Sequence, residues 1–378
     1  MRLPLVIAAA FLLLVLRAVA VEHVTFKRDD QETHVRGRLE AKAKDGGLLV
    51  LAADGVMHAI QPNEIIQHSH DDAPFVPSDA GAMSKQLLGA LPKGFEVHST
   101  AHYLICYDTS AAYAEWCGAL FERLYRGFSN FWSRKGFKLH EPEFPLVAIV
   151  FTDPAAYSSY AKVELGAGAG TMVAYYNLQN NRIVMHDLTG LESLRLPGGS
   201  RSSAAQINRM LAQPQAEATV ATIIHEATHQ IAFNSGLQTR LADIPLWVSE
   251  GLAMYFETPD LQSAKGWRNI GAVNRPRLDR FRETISSRGA DSLKTLIVDD
   301  QRIRDPRQAL DAYAEAWALN YYLLRQKQRE YLAYLQTLAS KDPMVYDDPQ
   351  VRLREFQAAF GETGKLDADF VRNLQKVK

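Results

Sequence analysis

One stretch of the sequence carries residue types whose spacing can do chemistry: Ala221-Thr-Ile-Ile-His225-Glu226-Ala-Thr-His229-Gln230. It reads His-Glu-x-x-His inside a helical pattern, because Val220, Ile224, Ala227 and Ile231 recur at spacings of four, three and four and define one apolar stripe. His225 and His229 fall on the other side of that stripe, one above the other. Residues four apart on a helix have Cβ atoms ~5–6 Å apart, close enough for two imidazoles to reach one ion. Zinc takes imidazole nitrogens at ~2.0–2.1 Å in a tetrahedral set and keeps one position open when it is catalytic. Glu226, one residue round from His225, is poorly placed as a ligand but well placed to reach water at that open position. The plain alternative is a structural helix with half-buried histidines.

A second stretch favours the metal. Trp247-Val-Ser-Glu250-Gly-Leu-Ala-Met-Tyr-Phe-Glu257 begins after Pro245, which suits a helix start. On a helical wheel Glu250, Met254 and Glu257 share a face, and Val248, Leu252 and Phe256 form the opposite one. Glu250 lies in an apolar run with no basic neighbour in sequence, so it needs a cation from elsewhere. A carboxylate presented from a second helix is the third ligand that two histidines lack. Together the two stretches point to a catalytic zinc.

The elements that must hold these helices read as strands first and helices afterwards. Phe95 to His98, Tyr103 to Tyr107 and Leu146 to Phe151 have strand composition, and Ala111 to Lys135 is helical. Thr171 to Leu178 and Arg182 to Leu188 alternate across Asn180-Asn181 as a hairpin, and from Gln213 onward the pattern is helical almost to the end. Such an order predicts an α+β domain over 95–378 rather than a doubly wound sheet. Ahead of it, residues 21–70 read as short strands joined by Asp-Gly turns at Asp45-Gly46 and Asp54-Gly55, a small β-barrel of SH3-like size. Residues 71–94, with three prolines and several small residues, read as a linker. Leu194 to Ser203 reads as a polar surface loop. Gly166, Gly168 and Gly170 lack the spacing and the following helix of a dinucleotide fingerprint.

Residues 1–20 combine Arg2, an apolar run from Leu3 to Leu16 and Ala18-Val19-Ala20, the pattern of a cleavable signal peptide. The expected location is therefore secreted or periplasmic, with no stable membrane insertion after cleavage. The 42 basic and 43 acidic residues balance closely, so there is no electrostatic footprint for nucleic acid. Cys106 and Cys117 either bridge, as an exporting compartment permits, or remain two buried thiols. The sequence does not set the oligomeric state.

The His-Glu-x-x-His motif followed by a Glu in Trp247-x-x-Glu250-Gly-Leu-Ala resembles the gluzincins, zinc metallopeptidases with two His and one Glu as ligands. The runs His225-Glu-Ala-Thr-His-Gln and Pro245 to Glu257 look most like secreted bacterial peptidase MA-like proteins, a group of unknown function. The resemblance spans roughly Phe95 to the C-terminus and is strongest from Thr222 to Glu257. It implies a zincin-like metallopeptidase domain with His225, His229 and Glu250 on Zn2+ and Glu226 as general base. It also implies that the hairpin supplies an edge strand for an extended peptide. A Gly-x-Met-x-Asn aminopeptidase motif is missing, so amino-terminal trimming is not implied.

Such sites often add an oxyanion donor, and the candidate is Tyr313, on a helical face with Trp317, Asn320 and Leu324. Glu257 or Asp243 would orient a ligand imidazole. His186, at the hairpin's end, faces either the cleft or the core; His98 and His102 carry no functional argument. His68 and His70 beside Asp71 and Asp72 read as polar linker rather than a metal site. The expected activity is that of a zinc metallopeptidase, an endopeptidase acting on a peptide or protein substrate. Two other readings use the same residues: a catalytically silent zincin-fold protein that holds a peptide or envelope polymer, and a zinc hydrolase of non-peptide amides.

Overall fold

The computed structural model describes residues 21–166, 172–190, 203–258 and 270–378. The expected signal peptide (residues 1–20), most of the glycine-rich stretch and nearly all of the expected Leu194–Ser203 loop lie outside the described residues. The chain divides into two compact units: residues 21–53 with 57–77, and residues 54–56 with 78–378.

The first unit has five strands, β1 (Val21–Arg28), β2 (Gln31–Lys42), β3 (Leu48–Ala52), β4 (Met57–Ile60) and β5 (Ile65–Asp71). All pairings are antiparallel, in the order β4-β3-β2-β1-β5. Alternation places Val24, Phe26, Val35, Leu48, Val50 and Ile60 in one small core. Among the described residues β4 and β5 are the two ends of this strand order, joined through a 3-10 turn at Pro62–Glu64. His68 and His70 lie on β5 rather than in a linker, and His68 Nε2 sits 2.5 Å from Glu22 Oε2.

The second unit opens with a helix that the sequence reading missed. Residues 80–90, inside the expected linker, form α1 (Ala80–Ala90), capped by Asp79, whose side chain accepts the Ala82 N–H. Its two glycines and its narrow apolar stripe of Met83 and Leu87 hid it. There follow β6 (Glu96–Ser99), β7 (Tyr103–Tyr107), α2 (Ala111–Arg134), β8 (Leu146–Phe151), α3 (Pro154–Leu165), β9 (Ala174–Asn177) and β10 (Arg182–His186). The sheet order is β6-β7-β8-β10-β9. β7, β8 and β10 run parallel, and β6 and β9 are antiparallel edges. The three parallel strands are buried on both sides and read as continuous apolar runs, as buried parallel strands do.

After the sheet the chain is helical: α4 (Ala204–Leu211), α5 (Glu217–Asn234), α6 (Leu246–Phe256), α7 (Arg275–Thr284), α8 (Ser292–Val298) and α9 (Gln301–Arg304). The last four are α10 (Ala309–Gln326), α11 (Gln328–Ala339), α12 (Pro349–Phe360) and α13 (Thr363–Lys376). The architecture is α+β, as the order of elements predicted. Cys106 on β7 and Cys117 on α2 are separate buried free thiols, so the bridge is not formed. Among the described residues no helix is long and apolar enough to cross a membrane.

Candidate metal centre

Helix α5 carries His225, Glu226 and His229. The stripe of Val220, Ile224, Ala227 and Ile231 is fully buried, and burial spreads round to Ile223, Gln230 and Asn234. Gln230 explains how this helix is seated on the sheet. Its Nε2 donates to Val147 O on β8 at 3.0 Å and to Asn181 O at 2.9 Å. Asn234 and Asn181 then exchange side-chain amide bonds of 2.6 and 2.8 Å. Asn181, in the β9–β10 turn, has φ 63°, a left-handed conformation that Asn tolerates better than most residues. These buried amides fix the edge hairpin to the helix bearing the histidines.

Helix α6 carries Glu250 and ends at Glu257. Its first-turn Leu246 N–H donates to Asp300 Oδ1 at 2.9 Å, an acid at the positive end of the helix. Arg352 joins Asp300 to the buried Asp243, with Arg352 Nε 3.0 Å from Asp243 Oδ2 and Nη1 3.2 Å from Asp300 Oδ1. The flank of α6 meets α10 at Gly251. A Cβ built there would lie 1.9 Å from Asn320 Nδ2 and 2.6 Å from Ala316 O, so only glycine permits this approach. Asn320 Nδ2 itself donates to Trp247 O and Ala316 O, both at 2.8 Å, and its Oδ1 accepts the Tyr331 hydroxyl.

These two helices bring three side chains to one point. His225 Nε2 lies 3.0 Å from His229 Nε2 and 3.0 Å from Glu250 Oε2, and His229 Nε2 lies 3.5 Å from Glu250 Oε1. Two ligands at zinc's ~2.0–2.1 Å under a tetrahedral angle sit about 3.3 Å apart, so the triad fits that ion without rearrangement. One potential ligand atom from each of His225, His229 and Glu250 lies within 4.8 Å of the others, and no other such cluster occurs among the described residues. Two imidazole nitrogens and a carboxylate aiming lone pairs at one point form a donor set for a divalent cation.

The surrounding groups orient the ligands. Glu257 Oε1 accepts from His225 Nδ1 at 2.7 Å, and Glu257 Oε2 accepts from Asn274 Nδ2 at 3.0 Å. His229 Nδ1 lies 3.2 Å from Ser249 Oγ. Of the two acids expected to orient an imidazole, Glu257 does so. Asp243 belongs to the Arg352 bridge instead. Burial works against charge on His225, but its hydrogen bonds to Glu250 and Glu257 outweigh burial and hold its pKa well above the imidazole range. Burial also opposes charge on Glu250, yet the two histidines keep its carboxyl well below the ordinary value.

Glu226 lies in the same cleft but outside the triad. Its Oε2 accepts the backbone N–H of Tyr176 on edge strand β9 at 2.7 Å. Burial raises its pKa, against the pull of His225 and His229. Tyr313 on α10 also lines the cleft, and its hydroxyl bonds to no described residue. Burial first, then the charges of Glu250 and Glu226, push its phenol above the ordinary value, so it stays a proton donor at neutral pH. The cleft has a volume of about 480 Å³ and an apolar wall that includes Leu178, Phe233 and Ile244.

His186 does not line this cleft. It is buried, with its ring 5.5 Å from Tyr157, as a core histidine of the strand end. His102 stacks on Tyr125 and bonds to Glu122. Sequence reasoning missed Gln230, Ser249, Asn274 and Arg277. Gln230 and Ser249 adjoin ligands in the chain, and that adjacency was the available signal; Asn274 and Arg277 gave none, since only tertiary packing brings α7 to the site.

Among curated proteins no match to the chain is found. Residues 219–345, about a third of the chain, match the sequence family described as "Protein of unknown function (DUF1570)", a span that contains all three triad residues together with Glu226, Glu257 and Tyr313.

Proposed function

We propose that the protein is a secreted zinc-dependent peptidase of zincin-like architecture, with Glu226 as general base. The observation that carries this reading is the convergence of His225, His229 and Glu250 from two helices beside a further acid that is not part of the triad. The motif resemblance to the gluzincins and the edge strand β9 beside α5 support it. His225, His229 and Glu250 would hold Zn2+, which when bound lowers the pKa of water at its open position to ~7 and polarises the scissile carbonyl.

The chain's own groups supply the rest. Glu226 is held at Oε2 by the Tyr176 N–H, which leaves Oε1 to take the proton of the attacking water. A carboxyl whose pKa is raised keeps that proton long enough to deliver it to the leaving nitrogen as the C–N bond breaks. The protonated Tyr313 hydroxyl is free to donate to the oxyanion, a contribution of roughly 10²–10³ in rate where comparable donors have been removed. Glu257 and Ser249 fix the ring orientations of His225 and His229.

The test is Glu226→Gln with an unstructured protein such as casein as substrate. Zinc content should stay at the wild-type level while cleavage falls to background. Equal background proteolysis by wild type and variant would remove the peptidase reading and leave a peptide-holding protein or a hydrolase of non-peptide amides.

A further inference from the structure

The cleft contains one charged group that the proposed chemistry does not use. Histidines aside, Arg277 is the only cation among the described residues lining it. Its guanidinium makes no hydrogen bond or ion pair with any described residue; it lies over the face of Tyr313, 5.6 Å from the ring centroid, and its charge reaches Glu257 only through space. Two other arginines of the same helix are committed elsewhere, and Arg275, at its first position, is exposed and does not line the cleft. Arg280 pairs with Asp311, and Arg282 donates to the carbonyls of Leu374 and Gln375. Arg277 alone turns to the cleft.

Its position is set by the site itself. The Arg277 N–H donates to Asn274 Oδ1, and the same Asn274 amide donates to Glu257, the acid that holds His225. The start of α7 is therefore tied to the metal-binding residues, and the Tyr313 ring supports the guanidinium from one side. Glu257, the nearest acid through this linkage, already bonds to His225 and Asn274. Glu250 faces the two histidines and Glu226 faces Tyr176. The positive charge thus has no internal counter-ion within ion-pair distance among the described residues. A planar guanidinium presents paired donors that match a carboxylate in a bidentate fork.

We propose that Arg277 receives a carboxylate of the substrate, so that the site selects anionic peptides over neutral ones. The peptide nature of the substrate rests on the function proposed above; the carboxylate does not. Its source is either the free C-terminus of a chain or an acidic side chain near the scissile bond.

The experiment uses full-length, chelator-treated protein, in which no metal competes for the carboxylate and no turnover occurs. Equilibrium dialysis would compare three probes: acetyl-Phe-Ala-Phe acid, its C-terminal amide, and acetyl-Phe-Asp-Phe amide. One or both carboxylate peptides should bind about 10- to 100-fold more tightly than the neutral amide, the range for a charge-assisted hydrogen bond. Arg277→Met should abolish the preference, and Arg277→Lys, which keeps the charge but not the fork, should retain part of it. Preference for the free acid identifies a C-terminal carboxylate; preference for the Asp peptide identifies a side chain.

Equal affinity for all three probes, no binding of any, or a preference that survives Arg277→Met would overturn the proposal. Circular dichroism checks that the Met variant is folded, and if it is not, full retention of the preference by Arg277→Lys decides against the fork. Parallel cleavage of the same peptides by zinc-loaded protein keeps the two ideas apart. No cleavage would count against the peptidase, while the dialysis result would still decide the role of Arg277.

Discussion

Replacing Glu257 by glutamine keeps the shape of the side chain and removes its charge, and the structure sets the consequence. One oxygen accepts from His225 Nδ1 at 2.7 Å and the other from Asn274 Nδ2 at 3.0 Å, on a side chain only 11% exposed. When His225 binds a cation through Nε2, its Nδ1 carries a proton and needs an acceptor. Asn274 Nδ2 needs one too, and glutamine offers only one. Turning the Asn274 amide over would not help, because its Oδ1 accepts the Arg277 N–H at the start of α7. The variant therefore loses a charge-assisted bond, worth about 1.5–3 kcal/mol. Loss of such an orienting partner weakens metal affinity by about 10–100-fold. Competition against a fluorescent zinc chelator would measure this, with circular dichroism confirming the fold. At a fixed saturating zinc concentration the stabilisation by metal should fall by about 1.4–2.7 kcal/mol. Asn274→Ala, which deletes one donor and leaves the charge, should cost less than Glu257→Gln. A folded Glu257→Gln protein with wild-type zinc affinity would refute the claim that this acid orients His225.

Two further perturbations address the scaffold. Gly251→Ala forces a methyl group against Asn320 and Ala316 and should lower stability by at least about 1–3 kcal/mol in urea unfolding, with weaker zinc binding because Glu250 is the adjacent residue; an unchanged urea midpoint would show that α6 and α10 can separate freely. Asp243→Asn should cost about 3–5 kcal/mol at neutral pH, towards the lower end because Arg352 keeps Asp300 as a partner. Although burial opposes it, the Arg352 bridge holds the Asp243 carboxyl below the ordinary value. A depressed folded pKa stabilises the fold above the unfolded value of about 3.9, and that stability is lost as pH falls through the folded pKa. The Asn variant should therefore lose less stability on acidification than wild type, and an identical acid limb would contradict this.

Local periodicity made much of the molecule legible. The spacing of His225 and His229, the apolar stripe beneath them and the Pro245 start of the next helix depend only on the geometry of one turn, so α5, α6 and the triad could be read directly. The strands of the second unit and the Asn180-Asn181 turn follow from the same kind of short-range pattern. Helix α1 was not legible because Gly81 and Gly89 weaken the helical signal and only Met83 and Leu87 mark its buried side. Residues meeting across long separations could not be read at all. Asp243 finds Arg352 across 109 positions, Gln230 finds Val147 across 83, and Arg277 reaches Tyr313 only because α7 packs against α10. The amino-acid sequence determined which side chains share a face of their own element, since that is a property of backbone period. Tertiary structure alone decided which faces meet, because a charge or buried amide takes whichever partner the packing brings within about 3 Å.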